Sequence, residues 1–423
     1  MKTRTGANCA FILTIALGLT MLATHAASAQ TYKTLYSFCP KPGCKDGADP
    51  QAGFIMDAQG TLYGTTVYGG AGCGGQGCGT AFKVAGDKET VLHRFKGAPD
   101  GANPSGSLLL DSKGNLYGVT SQGGRGGGTL FKIDPNGTET VLYSFGSNGN
   151  KDGAVPKGKL ITDSAGNFYG TTFEGGTHGS GTVFEVHPSG TEIVLYNFCS
   201  KGSSHCTDGE EPNGGLVRDV NGSLYGTTVV DLGRNGKGGG AVFKLTKEGK
   251  ESVLHLFCSA KNCADGEAPN GGLIMDAAGN LYGTTLVGGA NTCLAGEQNY
   301  GCGTIFKVAP DGTETVLYNF CSLSNCADGS APEAGLYKDA HGKLYGTASN
   351  GGSGNCSGGF FPGCGTVFEL SGKRQKILHS FSGTAPDGAF PQSALIVDSK
   401  GNVYGTASEG GKSGNGVVFA IIP

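Results

Sequence analysis

Residues 271–285 read G-G-L-I-M-D-A-A-G-N-L-Y-G-T-T, and residues 301–308 read G-C-G-T-I-F-K-V. The chain of 423 residues repeats this phrase seven times, with a Tyr-Gly pair in every copy. The spacing of successive pairs is 52 to 63 residues, since their tyrosines are Tyr63, Tyr117, Tyr169, Tyr225, Tyr282, Tyr345 and Tyr404. A period of this length, with several short apolar runs per unit, is typical of a repeat architecture.

Each unit contains four candidate β-strands. In the second unit they are residues 107–110, 115–119, 129–133 and 140–145, which are rich in β-branched and aromatic side chains and are bounded by Gly, Asp, Pro and Asn. An Asp-x-x-Gly turn such as Asp111 to Gly114 joins the first two strands and is typical of a tight hairpin. Four strands per unit predict one blade of a β-propeller.

The two ends of the chain predict how the ring closes. Residues 34–38 copy the fourth strand of a unit, and residues 417–421 copy the third strand. The last unit therefore lacks a fourth strand that the N-terminal segment can supply. We predict an all-β, seven-bladed β-propeller with four antiparallel strands per blade, whose last blade is closed by the N-terminal strand in a 3+1 arrangement.

Fourteen of the 21 phenylalanines recur at two positions of the repeat, in the third strand and at the end of the fourth. We expect these rings to fill the space between neighbouring blades. The glycine of each Tyr-Gly pair is expected to mark a close approach of one blade to the next.

The stretches 271–285 and 301–308 resemble the GloVer tandem repeat, which occurs in exported bacterial proteins described as having a choice of C-terminal anchor. The resemblance covers nearly all of the chain after residue 29. It implies export and a repeat architecture, and it implies no established activity and no set of catalytic residues. The chain ends two residues after its last predicted strand, so we expect a product without a sorting tail.

Residues 1–29 have the features of a signal peptide. Lys2 and Arg4 precede an apolar run, and Ala27-Ser28-Ala29 forms a small-residue cleavage site before Gln30. The alternative is an uncleaved anchor, but the apolar run is short for a membrane span. We predict cleavage between Ala29 and Gln30, a single propeller domain over residues 30–423, no membrane span after cleavage, and a secreted or periplasmic product.

Fourteen cysteines follow the predicted leader and fall into close pairs. Close spacing in an exported protein predicts local disulfides, here Cys39–Cys44, Cys73–Cys78, Cys199–Cys206, Cys258–Cys263, Cys293–Cys302, Cys321–Cys326 and Cys356–Cys364. The alternative is metal binding by C-x4-C clusters, although each lacks the second half of a zinc site. The cysteine pairs and the loops of variable length share one predicted face of the ring, which is where binding sites usually lie.

Composition excludes some partners. The chain has 31 basic and 34 acidic residues, and removal of Lys2 and Arg4 changes the net charge from −3 to −5. This balance gives no electrostatic basis for binding nucleic acid or an anionic membrane. No cofactor is predicted, and we expect a monomer.

Every unit carries the motif D-G-x-x-P. Its aspartates are Asp46, Asp100, Asp152, Asp208, Asp265, Asp328 and Asp387. An Asp before Gly commonly accepts hydrogen bonds from nearby backbone amides, so a structural role is preferred. The alternative is a ring of carboxylates that binds Ca²⁺ near the axis.

Catalytic residues should break the sevenfold symmetry. His93, His255 and His379 replace a fourth-strand tyrosine and are interpreted as packing variants, while His178 and His205 lie in variable loops without a clear partner. No nucleophile elbow, zinc-protease motif or phosphate loop is present. The variable loops also contain acids, Glu174, Asp231 and Glu297, and aromatic residues, Tyr300, Phe360 and Phe361.

Three functions are compatible with these features. The first is a binding or scaffold module that presents disulfide-stapled loops to a glycan or an extracellular protein. The second is an extracellular polysaccharide hydrolase or lyase, in which two loop acids would act as a glycosidase pair; this rests on analogy of fold alone. The third is a structural protein of the cell envelope. The sequence names no substrate or reaction, and the lack of a catalytic constellation favours the first.

Overall fold

The computed structural model describes residue 1 and residues 30–147, 149–201, 206–229, 239–295 and 298–423. Residues 2–29, which hold most of the predicted signal peptide, lie outside this part of the chain. Seven antiparallel sheets form a ring, so the predicted seven-bladed β-propeller is confirmed. Among the described residues the helical segments are three short 3-10 turns, Cys73–Gly75, Lys261–Cys263 and Ser324–Cys326, and no helix is long and apolar enough to cross a membrane.

The four strands of a blade are named here from the axis outward as inner, second, third and outer. The inner strands are Ile55–Met56, Leu109–Leu110, Ala154–Thr162, Val217–Arg218, Ile274–Met275, Tyr337–Lys338 and Ile396–Val397. The second strands are Leu62–Thr66, Leu116–Gly123, Phe168–Glu174, Leu224–Thr228, Leu281–Thr285, Leu344–Ala348 and Val403–Ala407. Six inner strands have only two residues, which is shorter than the sequence predicts.

The two remaining strands of each blade are longer and more uniform. The third strands are Thr80–Ala85, Thr129–Ile133, Thr182–Val186, Ala241–Leu245, Thr304–Val308, Thr366–Ser371 and Val417–Ile422. The outer strands are Lys88–Arg94, Glu139–Ser144, Glu192–Asn197, Glu251–Leu256, Glu314–Asn319, Arg374–Ser380 and, for the seventh blade, Thr31–Ser37. Short strands at Gly101–Pro104, Leu294–Ala295, Gln298–Asn299, Gly388–Ala389 and Glu409–Gly410 lie between these elements.

The N-terminal strand closes the ring as predicted. Thr31–Ser37 pairs antiparallel with Val417–Ile422, from Thr31 opposite Ile422 to Ser37 opposite Val417. The seventh blade is therefore built from both ends of the chain. This pairing leaves its third strand without an exposed edge.

The turn between the inner and second strands is held by its aspartate. Asp111 accepts hydrogen bonds from the amides of Lys113 and Asn115 at 2.8 Å, and Gly114 has a φ of 83°. The Tyr117 hydroxyl, from the Tyr-Gly pair, donates to the same carboxylate at 3.1 Å. Burial opposes ionisation, but the hydrogen bonds prevail and lower the pKa of Asp111.

The fourteen repeated phenylalanines form the contacts between blades, as predicted. Each ring that ends an outer strand meets the third-strand ring of the next blade, and every one of these side chains is at most 2 % exposed. The centroid distances are 4.8 to 5.3 Å for the pairs Phe38–Phe82, Phe95–Phe131, Phe145–Phe184, Phe198–Phe243, Phe257–Phe306, Phe320–Phe368 and Phe381–Phe419. One such pair occupies each of the seven junctions between neighbouring blades, including the junction between the seventh and the first.

The predicted role of the Tyr-Gly glycine is wrong. Gly118 lies directly opposite Phe131 of its own blade. A Cβ at Gly118 would lie 2.6 Å from Phe131 Cζ and 2.9 Å from Leu108 Cδ2, and both residues belong to the same blade. The glycine therefore makes room, within one blade, for the aromatic ring that contacts the neighbouring blade.

We expect Gly118→Ala to lower the free energy of unfolding by about 1–3 kcal/mol, because the added methyl group overpacks a buried contact. Chemical denaturation measures the loss. The same substitution in a Phe131→Leu background should cost much less, because the shorter side chain leaves space for the methyl group. An equal cost in both backgrounds would show that the ring is not what excludes the side chain.

Candidate functional site

All seven cysteine pairs are disulfides, with the partners that their spacing predicts. Four follow outer strands and three lie between second and third strands, and both kinds of loop open on one side of the ring, which we call the stapled face. At the junction of the fifth and sixth blades, Cys293 Sγ lies 3.8 Å from Cys326 Sγ. These four sulfurs are close together but are consumed in two disulfides, and a metal site would require thiolates.

The aspartates of the D-G-x-x-P motif lie at the rim of the ring. Asp46 accepts hydrogen bonds at 2.9 Å from the Tyr36 hydroxyl on an outer strand and from the Cys39 amide. The other six occupy the same position beside an outer-strand tyrosine or histidine, in the pairs Asp100–His93, Asp152–Tyr143, Asp208–Tyr196, Asp265–His255, Asp328–Tyr318 and Asp387–His379. A calcium site near the axis would need carboxylates that converge, and the structure separates these seven onto different junctions.

The histidines that replace tyrosine keep its place in this contact. His93 Nε2 lies 3.1 Å from Asp100 Oδ2, and His379 Nε2 lies 3.1 Å from Asp387 Oδ1. The interpretation of these histidines as packing variants therefore omits a polar contact that they share with the tyrosines.

A second carboxyl group approaches most of these aspartates from the next blade. Glu89, Glu139, Glu192 and Glu314 are half-buried at the start of their outer strands, and one carboxyl oxygen of each is buried without a partner among the described residues. Burial, followed by repulsion from the neighbouring aspartate, raises the pKa of each of these four groups to about 7. At the equivalent position of the sixth blade, Gln375 Nε2 instead donates to the Asp328 carbonyl at 3.0 Å.

We expect the protein to be less stable at pH 8 than at pH 5. These glutamates have an ordinary pKa near 4.5 when unfolded and about 7 when folded, so the folded state binds more protons between those values. Their stabilising contribution is complete below pH 4.5 and is lost as the pH rises through 7. The melting temperature should fall by roughly 5 °C between pH 5 and pH 8.

The control is the set Glu89→Gln, Glu139→Gln, Glu192→Gln and Glu314→Gln, which copies the natural Gln375. This variant should melt at a higher temperature than the unmodified protein at pH 8 and should show a flatter pH profile. An unchanged profile would mean that other groups govern the pH dependence.

The residue before each motif proline has an unusual backbone conformation that sequence analysis missed. These residues have a φ of 53° to 59° and are Asp49, Asn103, Val155, Glu211, Ala268, Ala331 and Phe390. None is glycine, although this region favours glycine and is costly for a β-branched residue such as Val155. The sequence contains one indication of this conformation: the residue before the proline of D-G-x-x-P varies from repeat to repeat, while the Asp, Gly and Pro of the motif are constant.

Hydrogen bonds between blades hold this conformation. The Asp49 amide donates to the Asn415 carbonyl at 3.0 Å, and the Val67 amide donates to the Asp49 carbonyl at 3.0 Å. In all seven repeats the amide at this position donates to a loop of the preceding blade at 2.7–3.0 Å. The backbone is therefore fixed around the ring while the side chain is free to differ.

A cleft on the stapled face is formed where the sixth, seventh and first blades meet. Its volume is about 610 Å³, and its lining includes Tyr68, Phe360 and Phe390 together with polar side chains. The side chains of Tyr68 and Phe360 are 38 % and 39 % exposed, whereas Phe390 is buried. The polar side chains of the cleft include Asp49, Gln51, Gln76, Glu333, Ser349, Asn350, Gln392, Ser408, Glu409 and Asn415.

Two carboxyl groups in the cleft have raised pKa values. Burial raises the pKa of Asp49 to about 6. A hydrogen bond from Gln51 at 3.0 Å partly offsets this effect, and the charge of Glu409 adds to it. Burial also raises the pKa of Glu333, whose Oε1 accepts a hydrogen bond from the Ser349 hydroxyl at 2.8 Å. These carboxyl groups interrupt the repeat, as functional residues are expected to do.

Of the loop acids, histidines and aromatic residues that the sequence analysis names as candidates, the structure brings only some to the cleft. Phe360 lines the cleft, Tyr300 packs against it with ring centroids 5.6 Å apart, and Phe361 is buried in the core. Glu174 and His178 are exposed and lie outside the cleft. His205, Asp231 and Glu297 lie outside the described residues.

The cleft continues into a channel along the axis of the ring, because both share Gln51, Glu333 and Gln392. The channel has a volume of about 820 Å³ and is lined by the segments that precede the seven inner strands. Most of these segments carry glycine at the axis. The backbones of neighbouring blades approach closely there, and a Cβ at Gly106 would clash with the Gly158 carbonyl of the next blade.

Comparisons with known proteins are consistent with this architecture. The sequence profile of the Gloeobacter/Verrucomicrobia repeat matches residues 20–237, 147–361 and 292–423, which together span nearly the whole chain. No curated protein sequence matches the chain.

Two solved structures are similar in shape and distant in sequence. A gluconolactonase of Xanthomonas campestris is 13 % identical with a TM-score of 0.41, and the match covers 74 % of this chain and 82 % of that one. PorZ, a surface component of the type-IX secretion system of Porphyromonas gingivalis, is 14 % identical with a TM-score of 0.51, covering 88 % of this chain and 46 % of PorZ. At this level of identity PorZ shares the fold alone.

Proposed function

The chain belongs to the Gloeobacter/Verrucomicrobia repeat family, and we propose that it is an exported binding module that takes a glycan in the cleft on the stapled face. The observation that carries the proposal is the combination of two partly exposed rings, Tyr68 and Phe360, with a set of amide and carboxyl groups in one open cleft. Sugars present apolar ring faces and many hydroxyl groups, so they suit a site that offers both surfaces.

Rigidity supports binding at this site. The Cys39–Cys44, Cys73–Cys78 and Cys356–Cys364 disulfides lie in loops that contribute Cys44, Gln76 and Phe360 to the cleft. A loop that is already ordered loses less conformational entropy when a ligand binds. Seven disulfides also fit the oxidising compartment that the predicted leader implies.

A second function is favoured by one observation. Asp49, with a pKa of about 6, lies near Glu409, and a proton-donating acid beside a second carboxylate is the arrangement that glycoside hydrolysis uses. The alternative proposal is therefore an extracellular hydrolase or lyase that acts in the same cleft. Turnover would require Asp49 in its protonated form.

The prediction for the binding module is that Phe360→Ala weakens glycan binding at least roughly tenfold while leaving the fold intact, because the exposed ring supplies stacking surface. A thermal-shift screen of residues 30–423 against a panel of neutral oligosaccharides and polysaccharide fragments would find the ligand, and calorimetry would measure both proteins. Ile193→Ala is the matched control, since Ile193 is 42 % exposed on an outer strand away from the cleft.

The outcomes separate the functions. Saturable binding without new reducing ends supports a binding module. Product formation that is lost in Asp49→Asn supports the enzyme. Binding that is equal in Phe360→Ala, or no binding to any member of the panel, would contradict a glycan site in the cleft and would favour a protein partner or a structural role.

A further inference from the structure

One position at the axis of the ring departs from the repeat in the third blade alone. Three residues after the motif proline, the other six blades carry small uncharged residues, Gly53, Ser107, Gly215, Gly272, Gly335 and Ala394. The third blade carries Lys159, and its neighbour Lys157 also lines the channel. Lys159 thus places a long cationic side chain at a position of the channel lining that is small and uncharged in the other six blades.

The two lysines differ in what surrounds their ammonium groups. Lys157 Nζ lies 3.8 Å from the centre of the Phe173 ring, and the charges of Glu174 and Glu211 act on it. Lys159 Nζ has no hydrogen-bond acceptor and no ion-pair partner among the described residues. The Glu333 carboxylate also lines the channel, but its oxygens accept hydrogen bonds from Ser349 and Gln392.

The surroundings of Lys159 disfavour an uncompensated charge. Lys159 is exposed to solvent, but partial desolvation of its ammonium group lowers the pKa of Lys159. An anion that entered the channel would restore the lost interaction with the ammonium group. Such a charge-assisted contact is stronger in a narrow channel than in bulk water.

We propose that the channel binds an oxyanion at Lys159. The ligand is a carboxylate, sulfate or phosphate group, carried either by a small inorganic ion or by an acidic sugar that enters from the cleft. This site is distinct from the cleft and does not depend on the proposed glycan function, because it requires only the ammonium group and the channel.

The test is calorimetric titration of residues 30–423 with sulfate, inorganic phosphate, D-glucuronate and D-glucose at constant ionic strength. We expect one or more of the three anions to bind and glucose not to bind at this site. Lys159→Ala, which copies Ala394, should weaken anion binding at least roughly tenfold, and Lys159→Arg should retain it. Lys113→Ala is the matched control, since Lys113 is exposed in a turn on the opposite face.

Each result decides the proposal. Binding of sulfate or phosphate alone supports a site for inorganic oxyanions, and binding of glucuronate supports a site for acidic sugars. No binding of any anion up to about 10 mM, or equal binding by the unmodified protein and Lys159→Ala, overturns it. Because Ala and Gly occupy this position in other blades, we expect Lys159→Ala to fold, and a retained melting temperature verifies this. Loss of anion binding leaves the binding of neutral glycans in the cleft unaffected, so the two proposals fail separately.

Discussion

A chain that begins at Cys39 is expected to lose the closed, cooperative fold of residues 30–423. The deletion removes Thr31–Ser37 and exposes the backbone edge of Val417–Ile422. It also removes Phe38, which is fully buried against Phe82 at a centroid distance of 5.0 Å, and Tyr32, which stacks on His379 at 3.9 Å. Truncation of one such phenylalanine to alanine costs about 3–5 kcal/mol, so loss of the whole strand should exceed the stability of most domains.

The matched control returns the same strand at the other end of the chain. Thr31 lies opposite Ile422, so a short hairpin turn after Pro423 can lead directly into residues 31–38 of a circular permutant that begins at Cys39. This permutant should fold and melt close to the unmodified protein, whereas the truncated chain should aggregate or unfold without a cooperative transition. Calorimetry and sedimentation measure both. A truncated chain that melts like the unmodified protein would contradict closure by the N-terminal strand.

Asp328→Ala is expected to destabilise the protein by about 3 kcal/mol or more, with or without calcium. The Asp328 carboxylate is completely buried and accepts hydrogen bonds from the Tyr318 hydroxyl at 2.7 Å, the Ser322 amide at 2.8 Å and the Leu323 amide at 3.1 Å. Its removal leaves the Tyr318 hydroxyl and the two loop amides without this acceptor, and it leaves a cavity at a fully buried position. Chemical denaturation in EDTA and in excess Ca²⁺ measures the effect.

The control for Asp328→Ala is Asp311→Ala in the fifth blade. Asp311 is exposed and accepts a hydrogen bond from the Thr313 amide at 2.9 Å, so its loss should cost less than about 1 kcal/mol. Stabilisation of the unmodified protein by Ca²⁺ that disappears in Asp328→Ala would support the calcium alternative instead. Equal stability of the two variants would contradict the structural role.

Sequence alone predicted the features that recur in every repeat. The Asp111 turn, the Phe95–Phe131 contact and the Cys321–Cys326 disulfide each involve a short segment or a position that appears seven times, so the pattern is visible without knowing how the chain folds. The 3+1 closure followed for the same reason, because each end of the chain carries part of one recognisable unit.

Features that depend on side-chain packing were less predictable. The sequence shows that Gly118 recurs, but the identity of the ring that excludes a Cβ depends on strand register. The left-handed conformation of Val155 is set by the Gly127 carbonyl of another blade, and nothing in the local sequence favours it.

The sequence by itself determined a seven-bladed ring, its closure, its disulfides and the face on which the variable loops lie. Only the tertiary structure decided which side chains meet there. Asp49 is separated from both Glu333 and Glu409 by most of the chain length, and the three share a cleft because ring closure places the first blade beside the seventh. Repeated residues make the same contacts within and between neighbouring units, so their positions can be recognised in the sequence as a pattern. The residues that break the repeat acquire their partners only when the ring is closed and the loops are folded.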